Sequence, residues 1–321
     1  ITNCIRPLPW PRLYPKESTM ILIQCQGLSK HYGSKKALNN VNLTLEAGAP
    51  IALVGPNGAG KTTLFSLLCG YLTPSAGTVR ILGEAPNSPA LLGQIAALPQ
   101  DATLDPNLTI ISQLSFFARL QGMDSKQANQ EALRVLNLVD LAEVAQQKPP
   151  SLSHGMSKRV AIAQALIGSP KLVLLDEPTA GLDPANAKKI RELVRTLSPS
   201  TTFVISSHNL DELEKLCDQV LYLDKGELGQ SISMRSSNSG SDYLTLTMES
   251  CDSETLIQAV GQIAGVVNIT SKQAHVFVIQ LDDTANRHYE FETALLALFK
   301  QQHWQYKMLL KGRTLEETLF S

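Results

Sequence analysis

The chain has 321 residues, 43% of them hydrophobic and 18% charged, with a formal net charge of −1. That length allows two or perhaps three domains with a large buried core, and the balanced charge excludes the basic footprint of a nucleic-acid binder. Five scattered cysteines, Cys4, Cys25, Cys69, Cys217 and Cys251, form no C-x-x-C pair or Cys/His cluster, so they read as reduced core residues. No run approaches the ~18 apolar residues of a membrane span, so a role at a membrane would act through a partner.

Residues 1–19 carry four prolines and no helical or strand period. They are expected to be a disordered tail, or sequence upstream of a start at Met20, and receive no functional role. Residues 20–26 and 41–45 read as strands, the alternation of the second suggesting a half-buried antiparallel strand, with a turn-rich connection holding Tyr32 and Gly33 between them. The stretch Ile51 to Phe65, IALVGPNGAGKTTLF, is an apolar strand, a glycine-rich loop and a helix former in succession. Gly55, Gly60, Lys61 and Thr62 satisfy G-x-x-x-x-G-K-[ST] at every fixed position, with Pro56, Asn57, Gly58 and Ala59 between and Thr63 after. Glycines let backbone N–H groups converge on phosphate oxygens, and the following helix adds its positive dipole end. Lys61 supplies a point charge for the β- and γ-phosphates, and Thr62 a hydroxyl for Mg²⁺.

Pro74 to Gly77 reads as a hairpin turn into a strand over 78–82, and IAALPQD (95–101) as a buried strand ending in Pro99 and Gln100. Helices follow at 109–121, 125–139 and 154–167, a helical insert within an α/β frame; Leu133 and Leu136 carry the spacing of the second. Ser153 is a natural N-cap of the third, and Gly155 in its first turn would let a phosphate approach the backbone.

KLVLLDEPTAGLDP (171–184) is an apolar strand ending in two carboxylates. On an extended strand Asp176 and Glu177 would point in opposite directions and take separate tasks, Asp176 holding the Mg²⁺ shell and Glu177 polarising a water. A helix near 184–197 and a strand over 202–206 then bring His208 to the same sheet edge. Two short strands about a turn at Asp224 to Gly226 close this part.

In this order the pieces resemble the ATPase subunit of an ABC transporter, over about residues 20–230. HYG is similar to the loop whose aromatic residue stacks on adenine, which implies that role for Tyr32. GPNGAGKTT resembles the phosphate loop. LPQD resembles the glutamine loop, which assigns Gln100 as a sensor of Mg²⁺, water and the permease contact. LLDEP resembles the Walker B strand with Glu177 as catalytic glutamate. AGLD resembles the loop containing Asp183, and His208 the switch histidine. LSHGMSKR stands where the family has LSGGQ; His154 and Met156 replace Gly and Gln, while Ser153 and Gly155, the groups expected to reach the γ-phosphate of a facing subunit, are retained.

The resemblance implies an α/β P-loop NTPase cassette with a helical subdomain at about 101–168. It implies ATP and Mg²⁺ as ligands, a head-to-tail homodimer, an integral-membrane permease as partner, and a place on the cytoplasmic face of the inner membrane. Beyond a Ser/Gly-rich linker at 231–241, residues 242–321 read β-α-β-β-α-β, the order of a ferredoxin-like α+β accessory domain. The ending RTLEETLFS resembles the S-L-E-E-x-F close of exporter ATPases. Export is therefore expected. The alternatives are an importer subunit with a substrate-sensing C-terminal domain, and a soluble ABC ATPase of repair or translation; the latter lacks support in the short helical insert and the single cassette.

Overall fold

The computed structural model describes residues 20–207, 210–233, 242–273, 275–282 and 290–312. The described residues open with a long hairpin, β1 (Ile21–Tyr32) and β2 (Lys35–Glu46), turned at Gly33 and Ser34. The connection expected to be turn-rich is thus mostly strand, and Tyr32 is the last residue of β1 rather than a loop residue. Irregular register at several points, among them Cys25 to Leu28, lets this polar stretch stay paired. β4 (Ala76–Ile81) joins the other edge of β1, giving a three-stranded antiparallel sheet in the order β2-β1-β4.

A second sheet has the order β5-β6-β7-β3-β8-β9. Its strands are β3 (Ile51–Val54), β5 (Ile95–Leu98), β6 (Leu172–Asp176), β7 (Thr202–Ser206), β8 (Gln219–Asp224) and β9 (Glu227–Ser233). All neighbours run parallel except β9, which folds back antiparallel on β8. β3, β6 and β7 are buried at every residue, as a parallel sheet covered on both faces requires. Alternate side chains serve two cores. Ala52, Val54, Val173, Leu175, Phe203 and Ile205 face one, with the helical insert. Ile51, Leu53, Leu172, Leu174 and Val204 face the other, with the antiparallel sheet and α1 (Lys61–Leu68). β9 runs to Ser233, so the first three residues assigned to a linker at 231–241 belong to this sheet.

The helical insert comprises α2 (Ile110–Leu120), α3 (Ser125–Leu138) and α4 (His154–Ala165), capped at their starts by Thr109, Asp124 and Ser153. Asp124 and Gln127 form a reciprocal capping box. Small residues carry the packing of α3: Ala128 and Ala132 are fully buried with Val135 and Leu136, whereas Leu133 is exposed. After β6 come α5 (Pro184–Leu197) and the short α6 (Leu210–Glu214).

The C-terminal part has its own core. β10 (Tyr243–Met248), α7 (Ser253–Gly261), β11 (Val266–Gln273), β12 (Val276–Leu281), α8 (Glu290–Gln302) and β13 (Tyr306–Lys311) form a four-stranded antiparallel sheet with two helices. Its strand order is β11-β12-β10-β13. Leu244, Leu246, Phe277 and Ile279 of the sheet pack with Leu256 and Val260 of α7 and Phe291, Leu295 and Phe299 of α8. His208, residues 1–19 and the RTLEETLFS ending lie outside the described residues.

Candidate active site

The glycine-rich loop leaves β3 at Gly55 and enters α1 at Gly60. A Cβ on Gly55 would stand 2.0 Å from the Leu223 carbonyl oxygen; one on Gly60, at φ 111°, would stand 2.5 Å from that of Ala37. Neither position can hold a side chain, so the loop packs against β8 and β2 as bare backbone. Gly60 caps α1 without a side-chain hydrogen bond, leaving the first-turn N–H groups free to meet an anion. The Lys61 ammonium is held inside the curl of the loop, donating to the carbonyls of Gly55 at 2.6 Å and Pro56 at 3.2 Å.

Asp176 ends β6 beside this loop. Its Oδ2 accepts from the Thr62 hydroxyl at 3.4 Å, and its Oδ1 accepts from the Ser206 hydroxyl on the neighbouring strand β7. Glu177 departs from the expected alternation. Its φ of 49° takes it off the extended path, so the two carboxylates do not project to opposite faces of a strand. Its N–H donates to both the carbonyl and the hydroxyl oxygen of Ser206, each at 3.1 Å. Both carboxylates therefore line one cleft, although each residue is more than nine-tenths buried. A strained left-handed non-glycine residue at a sheet edge is a conformation that persists where surroundings over-determine it, as the paired hydrogen bonds from the Glu177 N–H to Ser206 do here.

The cleft has a volume of about 240 Å³. It is lined by Asn57 to Thr63 of the loop and the start of α1, by Asp176, Glu177 and Gln100 at the ends of the parallel strands, and by Tyr32, Lys35 and Ala37 of the hairpin. Tyr32 is half-exposed, with the Lys30 ammonium 5.4 Å from its ring centre. Gly55 and Pro56 do not line the cleft and meet Lys61 through their carbonyls. The oxygens of Thr62 and Asp176 are hard donors of the kind Mg²⁺ selects, and a site of one or two protein oxygens completed by phosphates and water suits that ion. The donor set thus fits Mg²⁺ bound with a nucleoside triphosphate.

Ser153, Gly155 and Asp183 are not part of this cleft; they form a second cluster. The Ser153 hydroxyl accepts from the Met156 N–H at 3.2 Å at the start of α4. Asp183 caps α5, accepting from the N–H groups of Ala185 and Asn186 at 3.0 Å and from the Asn186 side-chain amide at 2.6 Å. The backbone and then the side-chain amide of Asn186 hold the Asp183 carboxyl below its ordinary range. That amide fills the space beside Gly155, where a Cβ would meet it at 2.6 Å, while a Cβ on Gly181 would lie in ordinary contact with the His154 ring at 3.5 Å. The starts of α4 and α5 are therefore fitted to each other. Ser206, Lys35 and Ala37 escaped the reading by sequence. A serine inside an apolar strand, as in TFVISS, was the available sign for Ser206.

A phosphate loop between a buried parallel strand and a helix, an acidic strand end beside it and a three-helix insert define a P-loop nucleotide hydrolase of the ATP-binding-cassette class. A sequence profile described as ABC transporter matches residues 38–180. The linearmycin resistance ATP-binding protein LnrL of Bacillus subtilis is 31% identical over 88% of this chain and 91% of its own length. The Nod factor export ATP-binding protein I of Cupriavidus metallidurans is 35% identical over 64% of this chain and 69% of its own. Among solved structures, the ADP conformation of MJ1267, an ATP-binding cassette of an ABC transporter, superposes with a TM-score of 0.61 at 25% identity, covering 69% of this chain and 96% of that one. A dimeric post-hydrolysis state of the cassette MJ0796 bound to ADP and Pi has a TM-score of 0.61 at 27% identity, covering 67% and 99%. The chain belongs to the ATP-binding subunits of ABC transporters: it is an ATPase that binds ATP and uses Mg²⁺.

Proposed function

We propose that this chain is the energy-coupling subunit of an exporter, pairing head to tail around two ATP molecules and driving a separate integral-membrane permease from the cytoplasmic face of the inner membrane. The observation that carries the reading is the division of the site. The cleft gathers the phosphate loop, Gln100, Asp176 and Glu177, while Ser153 and Gly155 stand apart at the start of α4. A second copy, turned to face the first, would bring the α4 start of each to the ATP of the other.

In that arrangement Tyr32 stacks on the adenine and the loop N–H groups bind the phosphates. Thr62 and Asp176 hold Mg²⁺ with Gln100 close by. Bound Mg²⁺ supplies charge neutralisation on the phosphate oxygens. Lys61 and the partner copy's α4 start stabilise charge developing on the transferred phosphoryl group. Glu177 accepts a hydrogen bond from the attacking water and orients it. Asp183 sets the shape of the facing surface, and His208 bonds the γ-phosphate. Among the described residues no helix is long and apolar enough to cross a membrane, which agrees with attachment through a partner. The export direction draws on the relative named for Nod factor export. Residues 242–312, with their β-α-β-β-α-β order and antiparallel sheet, read as a ferredoxin-like accessory domain.

The test is recovery of the tagged full chain from native membranes in mild detergent, followed by identification of its companions. A multi-span hydrophobic permease is expected. Ribosomes, DNA or no membrane protein at all would overturn the reading.

A further inference from the structure

Gln100 belongs to two cavities at once. It lines the phosphate-loop cleft, and it also lines a groove of about 410 Å³ with His154, Ser157 and Lys158 of α4. Across that groove the Lys158 ammonium donates to the Gln100 backbone carbonyl at 2.7 Å. The adjacent Arg159 is buried and donates through Nη1 to the Val139 carbonyl at 2.8 Å, holding α4 to the end of α3. Two consecutive cations thus fasten one helix to two separate segments, Arg159 to the end of α3 and Lys158 to the strand-end loop that carries Gln100.

We propose that Lys158 is a positioning residue for hydrolysis, tying the loop of Gln100 to the helix that begins at Ser153. The proposal rests on the dimer reading above. Lys158 is the fifth residue of α4, little more than one turn from its start. A helix moves as a rigid unit over that distance, so a shift of the Gln100 loop is delivered to Ser153 and Gly155. In the dimer those residues complete the ATP site of the other copy. Each cleft would thereby set the placement of the group that finishes its neighbour, and hydrolysis at the two sites would be cooperative. An ammonium on a backbone carbonyl is suited to such a tie, because the charge strengthens the bond while the flexible stem lets it follow the loop.

The experiment compares the full chain with Lys158→Met and Lys158→Arg variants in steady-state hydrolysis across ATP concentration, with ADP binding measured on the monomer at high dilution. Lys158→Met is expected to keep wild-type ADP affinity, which also reports a folded cleft, while kcat falls by between about 10- and 100-fold and the Hill coefficient drops towards unity. Lys158→Arg is expected to restore both. Wild-type kcat and cooperativity in Lys158→Met would overturn the proposal, as would a Lys158→Arg variant equally impaired with ADP affinity intact. Light scattering of Glu177→Gln with Mg-ATP separates this from the reading beneath it. If that variant stays monomeric, the dimer reading fails and the tie with it; if it dimerises while Lys158→Met behaves as wild type, only the tie fails.

Discussion

Two residues decide how much the site tolerates, Gly60 and Ser206. Gly60 combines a φ of 111° with a neighbouring carbonyl where its Cβ would be. Gly60→Ala should cost about 1–3 kcal/mol through backbone strain. It should also abolish ATP binding, because the loop must open to admit the methyl group; urea unfolding and nucleotide titration on the same variant check both. Ser206 has no exposed surface and bonds Asp176 through its hydroxyl and the Glu177 N–H through both its oxygens. Ser206→Ala should leave the fold intact while lowering Mg²⁺ affinity or turnover by about 10- to 100-fold, as loss of a group supporting a metal ligand does. The Mg²⁺ dependence of hydrolysis measures it. The phosphate-loop residues were legible because their spacing is dictated by phosphate chemistry. Ser206 was not, because its importance depends on which strand lies beside β6, and strand order is not written in any single segment.

At the scale of elements, the α4–α5 contact shows the same division. The start of α4 was readable from its cap, Ser153; that Asp183 caps α5, and that Asn186 would fill the space left by Gly155, was not. Asp183→Ala should loosen the start of α5 and free Asn186. The Asp183 carboxyl is held below its ordinary value of 3.8 chiefly by the Asn186 N–H. A lowered carboxyl contributes stability above that value and loses it as the pH falls. The melting temperatures of wild type and Asp183→Ala should therefore differ at neutral pH and converge in acid below 3.8. The β1–β2 hairpin was under-read for a related reason. Polar residues from Ser29 to Asn40 alternate poorly, and pairing across the hairpin and with β4 overrides their weak local preference. In α3, Leu136 is buried as its spacing predicts, but Leu133 is left outside, and Ala128 and Ala132 supply the rest of the buried face.

For the molecule as a whole, the cassette is built on a parallel sheet whose alternate residues feed two cores, and its thiols report on them. Cys25 and Cys217 are buried in the cores and Cys69 packs against one, and burial pushes all three up from 9.0 to about 12. A thiol whose folded value is raised adds stability that is complete below its unfolded value and lost as the pH rises through the folded one. Base should therefore destabilise the protein progressively from pH 9 towards 12, and replacing the three by serine or alanine should flatten that slope in urea unfolding. The central claim is that the cleft with Glu177 is one half of an ATP site closed by a second copy. Light scattering of Glu177→Gln, with and without Mg-ATP, tests it most directly. A monomer without nucleotide that becomes a stable dimer with Mg-ATP, with hydrolysis stalled, is the result predicted. A monomer in both conditions, with turnover at the wild-type rate, would contradict it.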